Sequence, residues 1–192
     1  MNLVPLIHMK NRKIYLEEGG PPITFKEFLN KIEGEPKIYI FDIDGIEKDK
    51  PNLCTYQRVS GAHELWVDFG PRNLGDVVDA TMAGATDITL RKNLSPQLTI
   101  SEIREITENK IYADDAFRED PSFYDFDGLV TFKIRQELES SFKFDHSFKN
   151  IVSKLDIYSY DSDINNFTYW KDFGIRGLLI DISKIQEFKN AL

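Results

Sequence analysis

The feature that most constrains this chain is a recurrence of short apolar runs, each the length of one buried strand, separated by helix-type segments. Eight such runs stand at Leu3–Met9, Lys37–Ile43, Glu64–Phe69, Asp87–Arg91, Lys110–Asp114, Leu129–Ile134, Asp156–Tyr160 and Gly177–Ile180. They are nearly continuous rather than alternating, as in a parallel sheet covered on both faces. Helices are expected at Thr24–Ile32, at Asn73–Ala83 stopped by Gly84, and at Ile100–Glu108 capped by Thr99. Two more are expected at Asn165–Phe173, stopped by Gly174, and at Lys184–Ala191, capped by Ser183. Lys10–Pro22, with Gly19, Gly20, Pro21 and Pro22, reads as a long loop, and Arg118–Asp127 has no clear period. Only one helical turn, Tyr56–Val59, is expected between the second and third strands. Strands alternating with helices in this order predict an α/β fold, a compact (β/α)8 TIM-type barrel. The 192 residues leave about 24 per unit, so one unit has room to be irregular, and an open doubly wound sheet is the alternative.

Residues 1–192 are of single-domain length and bury roughly 70% of their unfolded surface on size scaling. A net charge of −8 with no offsetting basic patch argues against nucleic acid and anionic membranes, whose phosphates would be repelled. Cys54 is the only cysteine, which rules out an intramolecular disulfide. The apolar stretch Leu3–Ile7 precedes Lys10, Arg12 and Lys13, the reverse of a signal peptide, and no apolar run approaches ~18 residues. The cytoplasm is therefore the expected location, with a monomer or homodimer as the expected state. A faint internal repeat carries Asn73–Leu90 onto Asp163–Ile180 at a shift of 90, and Ile38–Asp44 onto Leu129–Arg135 at 91. Either two βα units simply look alike or a half-barrel has been duplicated.

Several stretches resemble the histidine-biosynthesis barrel family of sugar-phosphate isomerases and cyclases. Val4-Pro5-Leu6-Ile7-His8-Met9-Lys10 is similar to its opening strand, and Phe41-Asp42-Ile43-Asp44-Gly45 to its second. Asp68-Phe69-Gly70-Pro71-Arg72-Asn73-Leu74-Gly75-Asp76-Val77 is similar to the glycine-rich turn after its third. The resemblance implies acid/base chemistry of the aldose-to-ketose type at the C-terminal rim, phosphate binding by glycine-rich turns, and no organic cofactor. This chain departs from the pattern. His8 stands at the aspartate position of strand one, and Asp114 keeps the one at the end of strand five. Arg91 replaces a glycine after strand four, Ser159 and Tyr160 replace two after strand seven, and Asp181 one after strand eight.

A carboxylate ~5 Å from a phosphate charge costs roughly 3 kcal/mol at an effective dielectric of ~20. Asp161 and Asp181 therefore remove one of the family's two phosphate sites. The reading is a small phosphorylated metabolite with one anion, held by Gly70, Arg72 and Arg91. His8 and Asp114 are the candidate acid/base pair, since an imidazole titrates near neutrality. Set against this, His8 also reads as a hydrogen-bonded structural histidine and Asp114-Asp115 as a solvated acidic loop. Asp42 and Asp44, two apart on a strand, are candidate cation ligands beside His8. Their alternative is a salt bridge to Lys133 and Arg135, the positions 91 residues on. His63 and His146 have no partners at zinc spacing. Phe117, Phe123, Tyr124 and Phe126 are either a lid over the mouth or core or interface packing. A different class of protein, a non-catalytic binder of cations or amines, follows from an acidic mouth of Asp68, Asp161 and Asp181.

Overall fold

The computed structural model describes residues 1–132 and 151–192. Eight parallel strands close on themselves. These are β1 (Asn2–Lys10), β4 (Lys37–Asp42), β5 (Glu64–Asp68), β6 (Ala85–Leu90), β7 (Lys110–Asp114), β8 (Gly128–Thr131), β9 (Asp156–Tyr160) and β10 (Gly177–Asp181). Closure is made by β10 on β1, with Asn2 opposite Gly177 and Leu6 opposite Asp181. This is the (β/α)8 barrel that the strand pattern predicts. Seven helices among the described residues flank it: α1 (Phe25–Ile32), α2 (Ile43–Lys48), α3 (Leu53–Val59), α4 (Leu74–Met82), α5 (Ile100–Ile106), α6 (Phe167–Phe173) and α7 (Ile185–Ala191). No helix among the described residues is long and apolar enough to cross a membrane.

Helix starts follow the local chemistry. Thr24, Asn73 and Thr99 each accept from the backbone N–H three residues on, while the acid at that third position reaches back. The expected Ser183 cap does not form; its hydroxyl donates to Glu17 instead. The stretch expected to be one long loop holds two short strands, β2 (Lys13–Tyr15) and β3 (Pro22–Ile23). The chain reverses at Asn11 and Arg12, both with positive φ, so β2 pairs antiparallel with the end of β1. Between the second and third barrel strands stand two short helices, α2 and α3, where a single turn was expected. Asp42 causes this: its carboxylate caps α2 through Gly45 N–H and also accepts from Asn52 N–H just before α3. The stretch 118–127 forms 3-10 turns that bury Phe123; Phe117 and Phe126 are also buried, so these aromatics belong to the core, with Tyr124 exposed.

Two apolar layers result from strand alternation. Outward residues such as Ile7, Ile40, Val67, Ile88 and Ile111 pack under the helices. Inside the barrel, Val4, Leu6, Val130 and Leu179 surround four aromatic rings, Tyr39, Trp66, Tyr112 and Tyr158. Trp66 is the hub, with ring centroids 4.0 Å from Tyr112, 4.9 Å from Tyr158 and 5.1 Å from Tyr39. Rings this large fit because the facing strands begin with glycines. A Cβ on Gly128 would lie 2.1 Å from the Asp156 carbonyl and 2.8 Å from the Tyr112 ring. One on Gly177 would lie 2.7 Å from the Tyr158 ring.

Overpacking of this kind costs about 1–3 kcal/mol. Gly128→Ala is expected to lower unfolding stability in urea by that amount. Gly61→Ala, where a Cβ meets nothing within 4 Å, is expected to leave it nearly unchanged.

Candidate active site at the barrel mouth

Inward-facing residues at or just past the strand ends form the C-terminal mouth: His8, Phe41, Asp68, Arg91, Asp114, Phe132, Tyr160 and Asp181. β4 and β8 are the second and sixth of eight strands, so they stand opposite one another. Phe41 and the residue just past β8, Phe132, meet across the axis with centroids 5.0 Å apart. This aromatic bar divides the mouth in two. On one side lie Asp68, Arg91 and Asp114, from or just after β5, β6 and β7. On the other lie Tyr160, Asp181 and His8, from β9, β10 and β1.

In the first half, Arg91 donates from Nε and Nη2 to both oxygens of Asp68, at 2.8 and 2.7 Å. Its guanidinium carbon lies 5.1 Å from the Phe41 ring centre and 5.7 Å from Phe132, so the cation packs on the bar. Asp68 is fully buried and also accepts from the Tyr39 hydroxyl at 2.8 Å. Thr89, within 3.4 Å of that hydroxyl, accepts from Trp66 Nε1 at 2.9 Å. The core rings thus hold Asp68, and Asp68 holds Arg91. Among the described residues, Asp114 accepts from the N–H groups of Lys92 and Ala116 on one oxygen only. Burial pushes its carboxyl above the usual range, against the opposing pull of those donors and of Arg91.

In the second half, His8 Nε2 lies 3.0 Å from Asp181 Oδ1, and Tyr160 donates its hydroxyl to Asp181 Oδ2 at 2.9 Å. Phe41 and Tyr160 meet the imidazole edge-on at 5.7 and 6.4 Å. An ionised Asp181 accepts the Nε2 proton, which leaves the lone pair on Nδ1. Nδ1 has no hydrogen-bond partner among the described residues. A cavity of about 330 Å³ opens over this histidine, lined by His8, Lys10, Tyr15, Ile43 and the loop residues Glu17, Glu18 and Gly19. The loop is tied down where Ser183, after β10, donates to Glu17 at 2.8 Å.

The sequence-derived site residues divide accordingly. His8, Asp68, Arg91, Asp114 and Asp181 do converge on the mouth, but the bar stands between His8 and Asp114. Asp161 turns outward, accepting from Asp163 N–H, Asn166 Nδ2 and Trp170 Nε1, so it adds nothing to an acidic mouth. Arg72 donates to the carbonyls of Gly70, Gly45 and Ile46 and fastens the turn after β5 to α2. Gly70, at φ 63°, makes room for that guanidinium and for Leu94, which a Cβ would approach to 2.7 and 2.6 Å. Arg72 and Gly70 therefore serve the loop packing, and Arg91 is the one expected anion ligand that faces the mouth.

Asp42 and Asp44 do not join His8 in a cation site. In the β1–β4 register His8 pairs with Phe41 and Met9 with Asp42, so Asp42 lies on the outer face of the sheet. Its oxygens are taken by Tyr56 hydroxyl, Asn52 and Gly45. Asp44 lies in α2 and accepts the N–H groups of Asn11 and Arg12, at 2.9 and 2.8 Å, and Lys48 Nζ at 2.9 Å. Among the described residues no group of three or more His, Cys, Asp or Glu is arranged to hold a metal ion. Lys133, Arg135 and His146 lie outside the described residues. Lys10 of the cavity, and Tyr160 and the two phenylalanines of the mouth, are not among the site residues expected from the sequence. Strand alternation from His8 finds Lys10, whereas Phe41 and Phe132 reveal themselves only once the strands are known to face each other.

The fold and mouth define a (β/α)8 barrel with an Asp–His pair at its C-terminal rim. No protein-family model and no curated protein matches the chain.

Burial alone would raise the Asp44 pKa, but Arg12 N–H, Lys48, Asn11 N–H and Asn52 hold it down to about 2. An unfolded aspartate titrates near ~3.9. The resulting stabilisation is full above pH ~4 and is lost as pH falls toward about 2. Asp44→Asn is expected to melt below the wild type at pH 7, with the gap closing as pH is lowered through this window. A gap unchanged at low pH would show that the carboxylate charge is not what holds the turn.

Proposed function

We propose that the mouth is a general acid/base site of the aldose–ketose isomerase type, acting on a small phosphorylated metabolite. The observation that carries this reading is the His8–Asp181 pair: its Nδ1 has no partner among the described residues, and the histidine lines a cavity of small-metabolite size. His8 Nδ1 takes the proton from the carbon beside a carbonyl. Asp181 and Tyr160 keep the ring in the tautomer and orientation this requires. Asp114, whose carboxyl burial favours in the protonated form, donates to the carbonyl oxygen as the enediol forms. A substrate reaching both groups lies over the Phe41–Phe132 bar, with Arg91 beneath it. The resemblance of the opening strands to the histidine-biosynthesis barrels supports the same class of chemistry, with a histidine in place of their first aspartate.

One observation favours a second reading, a non-catalytic binder of cations or amines: Arg91 is already neutralised by Asp68. Melting shifts separate the two, because sugar phosphates stabilise the isomerase and divalent cations or amines stabilise the binder.

The direct test follows deuterium wash-in from D2O at the carbon next to the carbonyl, by NMR, over a panel of aldose and ketose phosphates. His8→Ala is expected to lower the wash-in rate by about 10²–10⁴-fold and Asp114→Asn by at least about tenfold. A His8→Ala rate equal to wild type removes the histidine from the chemistry. Absence of wash-in from every sugar phosphate removes the isomerase reading.

A further inference from the structure

The cavity over His8 contains charges that the fold does not neutralise. Lys10 enters it two residues beyond His8, on the same side of β1, and Glu18 enters it from the loop after β2. Both are solvent-exposed, and neither makes an ion pair with any described residue. They come from different directions. Lys10 pairs with Lys13 at the tip of the β1–β2 hairpin, while the neighbouring Glu17 is tied to Ser183 beyond β10. The larger cavity, of about 550 Å³, at the opposite end of the barrel is different. There Lys37 is paired with Asp87 and Glu64, Lys189 with Glu35, and Arg176 with Asp156, so that of its acidic and basic side chains Lys110 alone has no ion pair with a described residue.

One cation and two carboxylates are a poor container for a simple anion, because a phosphate held at Lys10 is repelled by Glu17 and Glu18. The same walls suit a ligand that brings a positive charge of its own. We propose that the cavity takes a small zwitterion, an amino sugar phosphate in chemical class, with its phosphate at Lys10 and its ammonium at Glu18. This rests on reading the cavity as the ligand site, and it names the substrate class that the acid/base chemistry serves. The amine selects against plain sugar phosphates through the glutamate, and specificity therefore comes from the β1–β2 hairpin and its following loop rather than from the strand ends. Arg91 is not needed as a phosphate ligand, which agrees with its engagement by Asp68.

Calorimetric titration at low salt with glucosamine 6-phosphate, glucose 6-phosphate and glucosamine tests the assignment. Wild type is expected to bind glucosamine 6-phosphate up to about fivefold more tightly than either of the others, the upper end for one exposed ion pair. Lys10→Gln is expected to abolish the advantage over glucosamine, and Glu18→Gln the advantage over glucose 6-phosphate. Equal affinity for all three probes, binding of none of them, or preferences that survive both substitutions would overturn the proposal. The preferences of Lys10→Gln and Glu18→Gln are read from binding without turnover, whereas turnover is tested with His8→Ala. Whether that variant still supports deuterium wash-in bears only on the acid/base reading, so the two ideas fail separately.

Discussion

A closed cylinder of eight strands has an interior that side chains must fill, and here four aromatic rings fill it around Trp66. Aliphatic residues would fill the space without direction. Tyrosine and tryptophan also bring one polar tip each, which must find a partner when buried. The Trp66 N–H reaches Thr89, and the Tyr39 hydroxyl reaches Asp68. Asp68 can be fully buried as a charge because Arg91 meets both its oxygens. Core packing thereby continues into the mouth without a break, and the first half of the mouth is as much core as site. Gly128 and Gly177 are the other side of the same constraint, since the rings need the volume their missing Cβ atoms leave.

The Phe41–Phe132 contact has a second consequence. By crossing the axis it limits how deep a ligand can go and keeps two carboxylates, Asp114 and Asp181, in separate surroundings. Asp181 has both oxygens engaged, by an imidazole and a phenol. Asp114 has one oxygen unengaged by the described residues and burial pressing it toward the neutral form. Two carboxyl groups held in such different surroundings fit the separate tasks that the proposed acid/base reading gives them. The hairpin of β1 and β2 completes the second half by giving the His8 cavity a wall that the eight strands themselves do not supply.

Much of this was legible in the sequence, for reasons of periodicity. Short, continuous apolar runs with helical segments between them require a parallel sheet covered on both faces, and the number of runs set the barrel. Polar residues at strand ends, His8, Asp68, Asp114 and Asp181, fell at the rim because barrel strands run in one sense. Asp161 was misplaced for an equally simple reason: it follows the inward Tyr160 by one residue, and alternation sends it to the outer layer. Arg72 looked like an anion ligand in a glycine turn, but nearby backbone carbonyls, close only in space, take its donors. The hairpin in residues 10–23 was hidden by its glycines and prolines, and by two residues at positive φ that are not glycine.

The sequence by itself determined the layering, the strand sense and the chemistry available at each strand end, because these depend on repeats of two and of roughly 3.6 residues along the chain. Only the tertiary structure decided which of those end groups share a compartment. Closure of the cylinder puts β1 beside β10 and β4 opposite β8. Pairings of that kind, His8 with Asp181 across 173 residues and Phe41 with Phe132 across the axis, depend on the geometry of the closed sheet and leave no trace in local spacing.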